Sequence, residues 1–288
     1  MRKSPPDQRQ AGVSSQTSGE AQQLLSELQG EDPWVRGNAA LTLGQQRVKA
    51  ARPALLGSLQ DPSVWVRGWA AYALGQLGDP SALPALCSAL GDEDGWVREQ
   101  AARALEGFEH ELVDAALLRA LHASQPLVRA WSLFVLARRG EAEISLDALP
   151  LLEDPSRAVR LMAIRALARL KHPAAAAPLR MVLRDRDEHI KGAAAFALGA
   201  LQDTEAVGLL HHALSERSVW VRRNAAWALL ALGTPETIEA VGSLQEDNDQ
   251  GVRLLAQAAR ARLLAGRPPA GTDGGGDAPR VGSDLQDL

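Results

Sequence analysis

At 288 residues the chain is long enough for two ordinary domains or one elongated array. Hydrophobic residues make up 46% and aromatics only 4%, so the interior must be built from Ala, Leu and Val, a mix that favours helices over strands. A net charge of −4 argues against a general nucleic-acid binder, and a single cysteine, Cys87, excludes an intrachain disulfide and fits a reducing compartment.

Residues 1–19 are polar and contain Pro, Ser and Gln, which predicts a disordered N-terminal tail. The basic residues near the start have no apolar stretch behind them, so no secretory signal is expected. No apolar run approaches the roughly 18 residues of a membrane span, and a cytoplasmic protein is expected.

From residue 20 the chain repeats itself. A Val-Arg pair, once Ile-Lys, stands at Val35-Arg36, Val66-Arg67, Val97-Arg98, Val128-Arg129, Val159-Arg160, Ile190-Lys191, Val221-Arg222 and Val252-Arg253, each 31 residues after the last. Four residues on comes a column of Ala (Ser132 in the fourth repeat). Eight residues on comes a column of Leu, broken only by Arg260. Those offsets make one stripe on a helix, with small residues in its middle that admit a close neighbour.

The breaks keep the same register. In Gly78-Asp79-Pro80 and Gly233-Thr234-Pro235 the Gly supplies a left-handed C-terminal residue, Asp or Thr the N-cap, and Pro the first helical position. A shorter helix follows, as in Pro80 to Leu90, and Asp61-Pro62 or Asp154-Pro155 opens the next long one. Eight hairpins of about 10 plus about 14 residues are therefore predicted over 20–266. One hairpin cannot bury its apolar face alone, so the expected fold is an all-α, curved α-solenoid on the order of 70–80 Å long. The fourth repeat is the least regular: Ser124-Gln125-Pro126 replaces the acidic start, and the linker from Gly140 to Asp147 lacks the Asp-Pro pattern. Residues 267–288, rich in Gly, Pro and Asp, predict a disordered C-terminal tail.

Seven Trp against one Tyr and three Phe is an uneven distribution. Trp34, Trp65, Trp96 and Trp220 each precede the repeat valine, Trp69 and Trp131 lie three after it, and Trp227 and Tyr72 lie six after it, where Arg103 also stands. A core column in a regular array should hold similar volumes throughout, because interiors are close-packed. These columns range from Gly to Trp, so they are expected to face outward, displaced from the core stripe. Aromatic and Arg enrichment is the composition of an interface hot region, so Trp34, Trp65, Trp69, Tyr72, Trp96, Arg103, Trp131, Trp220 and Trp227 are the candidate partner-binding residues. The competing reading is that each indole covers its own repeat junction.

The segment DPSVWVRGWAAYALGQLGDPSALPAL resembles the short HEAT-like repeats of phycobilin-lyase-type proteins, and the resemblance covers roughly residues 20–266. It implies that the long helices line a concave face. It also implies that Asp61, Asp92, Asp154, Asp185, Glu216 and Asp247, each six residues before a column cation, belong to a ladder tying neighbouring repeats, which favours a structural role for the arginine column over a phosphate-binding one. Iron-binding hydroxylases of this fold carry several His-Glu pairs, whereas this chain has only His110-Glu111, so no metal site is expected. No nucleophile elbow or phosphate-cradling loop is present, and neither catalytic residues nor a cofactor are expected. The reading is a non-catalytic scaffold or adaptor that binds a protein or peptide in an aromatic and Arg-bearing groove. The alternatives are a bilin lyase subunit, holding a phycobilin for attachment or detachment, and a HEAT-like binder of DNA lesions.

Overall fold

The structure, a computed structural model, describes residues 19–140 and 145–265. The tails expected over 1–19 and 267–288 lie outside those residues, except Gly19, which is helical, and so does the middle of the irregular linker. Among the described residues every regular element is a helix or a 3₁₀ turn. The chain divides into two compact units, Met1–Val135 and Leu136–Leu288.

In the first unit a helix over 19–27 (α1) precedes α2 (Pro33–Gln45), α3 (Arg52–Ser58), α4 (Val64–Leu77), α5 (Leu83–Ala89), α6 (Gly95–Glu106) and α7 (His110–Ala120), and α8 (Pro126–Arg139) runs into the second. The second unit continues with α9 (Ser145–Ala148), α10 (Arg157–Leu170), α11 (Ala176–Val182), α12 (Glu188–Ala200), α13 (Val207–Ala213), α14 (Val219–Leu232), α15 (Pro235–Gly242) and α16 (Gln250–Leu264). The even-numbered helices are the long ones and carry the Val-Arg pairs. They pack side by side, α2 on α4 on α6 and α10 on α12 on α14 on α16, while the short helices α3, α5, α11, α13 and α15 pack against the long helix that follows each.

The predicted stripe is the core. Val66, Val97, Val159, Ile190, Val221 and Val252 are fully buried, as are the Ala column and Leu43, Leu74, Leu105, Leu167, Leu198 and Leu229. The helix ends use the expected chemistry with one extension. Gly78, Gly140 and Gly233 are left-handed (φ 64°, 84° and 70°), and so are Arg47, Lys171 and Gln202 at the same place in their repeats (φ 51°, 52° and 58°), each at a cost of about 1 kcal/mol that glycine avoids. The starts differ from expectation. Ser63 and Ser156, not Asp61 and Asp154, occupy the N-cap positions, and the helices begin at Val64 and Arg157. The two aspartates instead accept the backbone N–H of Ser63 and Ser156, each at 2.8 Å.

That turn presents the carboxylates to the cations. Arg36 grips Asp61 through Nε and Nη2 at 2.7 and 2.8 Å, Arg67 grips Asp92 at 2.7 and 2.9 Å, and Arg222 grips Asp247 at 2.8 and 2.8 Å. Lys191 reaches Glu216 at 2.7 Å. Each pair joins one repeat to the next, so these rungs are structural. The Arg222 hydrogen bond, working against burial, holds the Asp247 carboxyl below its ordinary range, and the same contact raises Arg222.

Candidate functional site

The seats of the tryptophans are made by glycine. A Cβ at Gly37 would come within 2.3 Å of the Trp65 ring, one at Gly68 within 1.9 Å of Trp96, and one at Gly192 within 2.3 Å of Trp220. In each case the missing side chain on one long helix leaves room for an indole on the next. The reverse pairing also occurs: a Cβ at Gly251 would meet the Arg223 guanidinium at 2.6 Å, and Arg223 is held there by Asp249. The two columns therefore vary in opposite senses, and it is their combined volume that packing fixes. Size variation in one column is thus no sign of an outward position, which corrects the sequence argument for Trp65, Trp96 and Trp220: they cover junctions as well as meeting solvent.

In the first unit these seats bring four rings together. Trp65 stacks on Trp96 with centroids 5.4 Å apart and planes 13° from parallel. Trp69 stands nearly perpendicular to Trp65, Trp96 and Tyr72, at 5.4, 5.5 and 5.6 Å, the edge-to-face geometry aromatic quadrupoles favour. The Trp69 indole N–H is buried with no hydrogen-bond partner, so packing, including that of the three neighbouring rings, and not a hydrogen bond holds it. Trp69, Tyr72 and Trp96 line a cavity of about 600 Å³ whose walls also include Leu41, Gln100 and Arg103. Arg103 is exposed and paired with Glu99 at 2.9 Å. Trp65 remains 43% exposed, so the cluster keeps an open aromatic face.

The other candidates lie elsewhere. Trp34 is 67% exposed and stands outside the four-ring cluster. Trp220 is half-buried, with its ring 6.4 Å from His189. Trp227 stacks on Phe196 at 4.4 Å and 24°. Both belong to the second unit. Trp131 is a correction: it is 4% exposed and not outward-facing, with the Arg98 guanidinium 5.5 Å from its ring centroid and Phe134 at 5.1 Å. Its cause lies 25 residues after Arg98, where the ladder's acid is replaced by Ala123. The buried Arg98, 3% exposed, has an aromatic face where Arg36, Arg67 and Arg222 have a carboxylate.

Sequence reasoning missed the glutamines. Gln45, Gln76 and Gln100 line the same cavity. They sit three or ten residues after the repeat valine, the same helix side as the aromatics, which is the signal that would have found them. Cys87 is buried, and desolvation pushes its thiol up to about 11, so it is protonated at neutral pH. Among the described residues no helix is long and apolar enough to cross a membrane, and no three His, Cys, Asp or Glu side chains converge.

Stacked helical hairpins, joined by an Asp/Arg ladder and displaying side chains from the long helices, define an α-helical repeat scaffold. The chain belongs to the HEAT-repeat family, whose pattern matches residues 21–106, 114–198 and 181–260. Among solved structures, YibA of E. coli is similar over 92% of this chain and 99% of its own, at 17% identity and a TM-score of 0.55. The complex of CpcE and CpcF of phycocyanin lyase from Nostoc sp. PCC7120 is similar at 26% identity, over 83% of this chain and 94% of that one, with a TM-score of 0.37. Human deoxyhypusine hydroxylase is similar at 24% identity, over 88% and 99%, with a TM-score of 0.37. Among curated proteins none matches.

Proposed function

We propose that this chain is a non-catalytic scaffold that binds a protein or peptide partner on the aromatic face of its first unit. The observation that carries the reading is the convergence of Trp65, Trp69, Tyr72 and Trp96 beside a cavity of about 600 Å³ rimmed by Arg103 and glutamine amides. Rigid aromatics give large contact area at small entropic cost, and the glutamines and Arg103 offer directional hydrogen bonds around them. Trp34, exposed in the same unit, would extend the contact of a long partner; Trp220 and Trp227 lie on the second unit, and Trp131, buried beneath Arg98, belongs to the frame.

The test uses variants that spare the glycine seats. A photoreactive phenylalanine analogue at Gln76 identifies the partner by cross-linking, and the purified partner is then titrated against the wild-type chain, Tyr72→Ala and Arg103→Glu. The expected outcome is affinity weakened about 30-fold or more by Tyr72→Ala, and weakened also by Arg103→Glu, which at an exposed position leaves the melting temperature nearly unchanged. Unaltered affinity in both variants would remove the reading. Phycocyanobilin is titrated alongside; a saturable shift of its visible spectrum, absent in Tyr72→Ala, would place a linear tetrapyrrole in the groove instead.

A further inference from the structure

The ladder arginines are all mounted alike. Nη1 donates to two carbonyls at the preceding helix start: Asp61 and Pro62 for Arg67, Glu216 and Arg217 for Arg222, Asp154 and Pro155 (2.9 and 3.4 Å) for Arg160. This leaves the Nε/Nη2 edge facing the next repeat. In Arg36, Arg67 and Arg222 that edge takes a carboxylate bidentately at 2.7–2.9 Å. Arg160 has its acid in register, Asp185, 25 residues on, but does not hold it. The Arg160 Nε is buried without a partner, and Asp185 accepts only the backbone N–H of Asp187, at 2.7 Å.

The open rung borders space. Arg160 and Asp185 line a cavity of about 1110 Å³ within the second unit, together with Arg184 and the apolar Leu152, Met181 and Leu209. Met181 is 64% exposed on the wall of this cavity. Arg180, also on the wall, is committed to Asp203 and Glu205 at 3.2 and 2.6 Å.

We propose that this open rung is a binding site for a carboxylate carried on a small apolar frame, anchored bidentately by the Nε/Nη2 edge of Arg160. The same edge, on the same carbonyl mount, takes a carboxylate in Arg36, Arg67 and Arg222. An unpartnered buried guanidinium nitrogen is costly, so the site gains from filling. Arg184 adds a second cation. Asp185, with Glu153 and Asp154 on the same wall, adds negative charge that disfavours a dianion such as phosphate. Leu152, Met181 and Leu209 supply the apolar wall. The carboxylate could come from an acidic side chain of a peptide or from a free carboxylic acid.

The experiment follows the arginine Nε–H and methionine methyl resonances of the full-length chain by NMR. Hexanoate, the blocked tripeptide acetyl-Leu-Asp-Leu-amide and inorganic phosphate are each added up to about 10 mM, which detects millimolar binding. A saturable shift at Arg160 and Met181 is expected with hexanoate or the tripeptide, and which of them binds tells the free acid from the peptide. Arg160→Gln should weaken that binding about ten-fold or more, and Asp185→Asn should tighten it several-fold, about 3–10 times. Met181→Glu, which leaves the carbonyl mount intact, should abolish binding and serves if Arg160→Gln does not fold. Asp185→Asn should also leave the melting temperature unchanged, whereas Asp92→Asn lowers it. The proposal is overturned if neither carboxylate shifts Arg160, if phosphate binds as well as both, or if Asp185→Asn lowers the melting temperature as much as Asp92→Asn, because the rung is then closed in solution.

Discussion

Gly68 and Gly75 lie seven residues apart on α4, and a methyl group at either would enter α6. At Gly75 the methyl would stand 2.8 Å from the Ala104 Cα, and backbone cannot rotate aside as a side chain tip can. The spacing puts both glycines on one helix face, where they let α4 and α6 approach more closely than larger residues would. Gly75→Ala should therefore lower stability by about 1–3 kcal/mol, the cost of overpacking. Gly57 on α3 has nothing within 4 Å of the same position and a right-handed backbone, so Gly57→Ala should raise stability by about 0.5–1 kcal/mol. Urea unfolding of the two variants reads the difference; shifts of the same sign would show that the close approach does not limit packing.

At the scale of helix pairs, the ladder explains why two residues at the same offset have different fates. Trp69 and Trp131 both lie three residues after the repeat valine, yet one lines a cavity and the other is buried. The distinguishing residue is remote in sequence: Ala123 leaves Arg98 without a carboxylate, and desolvation pushes the Arg98 guanidinium below its ordinary value. Aromatic contact compensates less for that burial than a bidentate carboxylate does. Ala123→Asp should complete the rung and raise stability by about 1–2 kcal/mol, typical of a hydrogen bond to a charged group. Trp131→Leu should then cost less in the Ala123→Asp background than alone, because the cation no longer depends on the ring. A double-mutant cycle by denaturant unfolding measures that coupling, and simple additivity would show that ring and cation act independently.

For the whole chain, the constant columns made the fold legible: valine, alanine and leucine at one helical stripe, with capped breaks at a fixed spacing, dictate stacked hairpins. The candidate site was legible only in part. A helical pattern assigns side chains to a face of one helix, but exposure at a repeat junction depends on the residue opposite, and Gly37 decides the placement of Trp65 as much as Trp65 does. The open rung at Arg160 has the same sequence signature as the closed ones and could be found only in three dimensions. The same ladder sets the response of the whole molecule to acid. Asp61 is lowered although burial opposes it, because Arg36 and the Ser63 N–H outweigh that burial, and Asp247 is lowered chiefly by Arg222. Hydrogen bonds from the Ser81 hydroxyl and N–H, then Arg52, bring Asp79 down to about 2. A carboxylate whose folded pKa is depressed contributes stability that is complete above its unfolded value, about 4, and is lost as pH falls through its folded value. Melting temperature should therefore hold between about pH 7 and 5 and fall steadily from about pH 4 towards 2. Asp247→Asn should flatten that fall while lowering the plateau, since the lost rung no longer has a proton to take up. Calorimetric scans across this range test it; a variant curve parallel to the wild type down to about pH 2 would show that Arg222 does not hold Asp247 below its ordinary range.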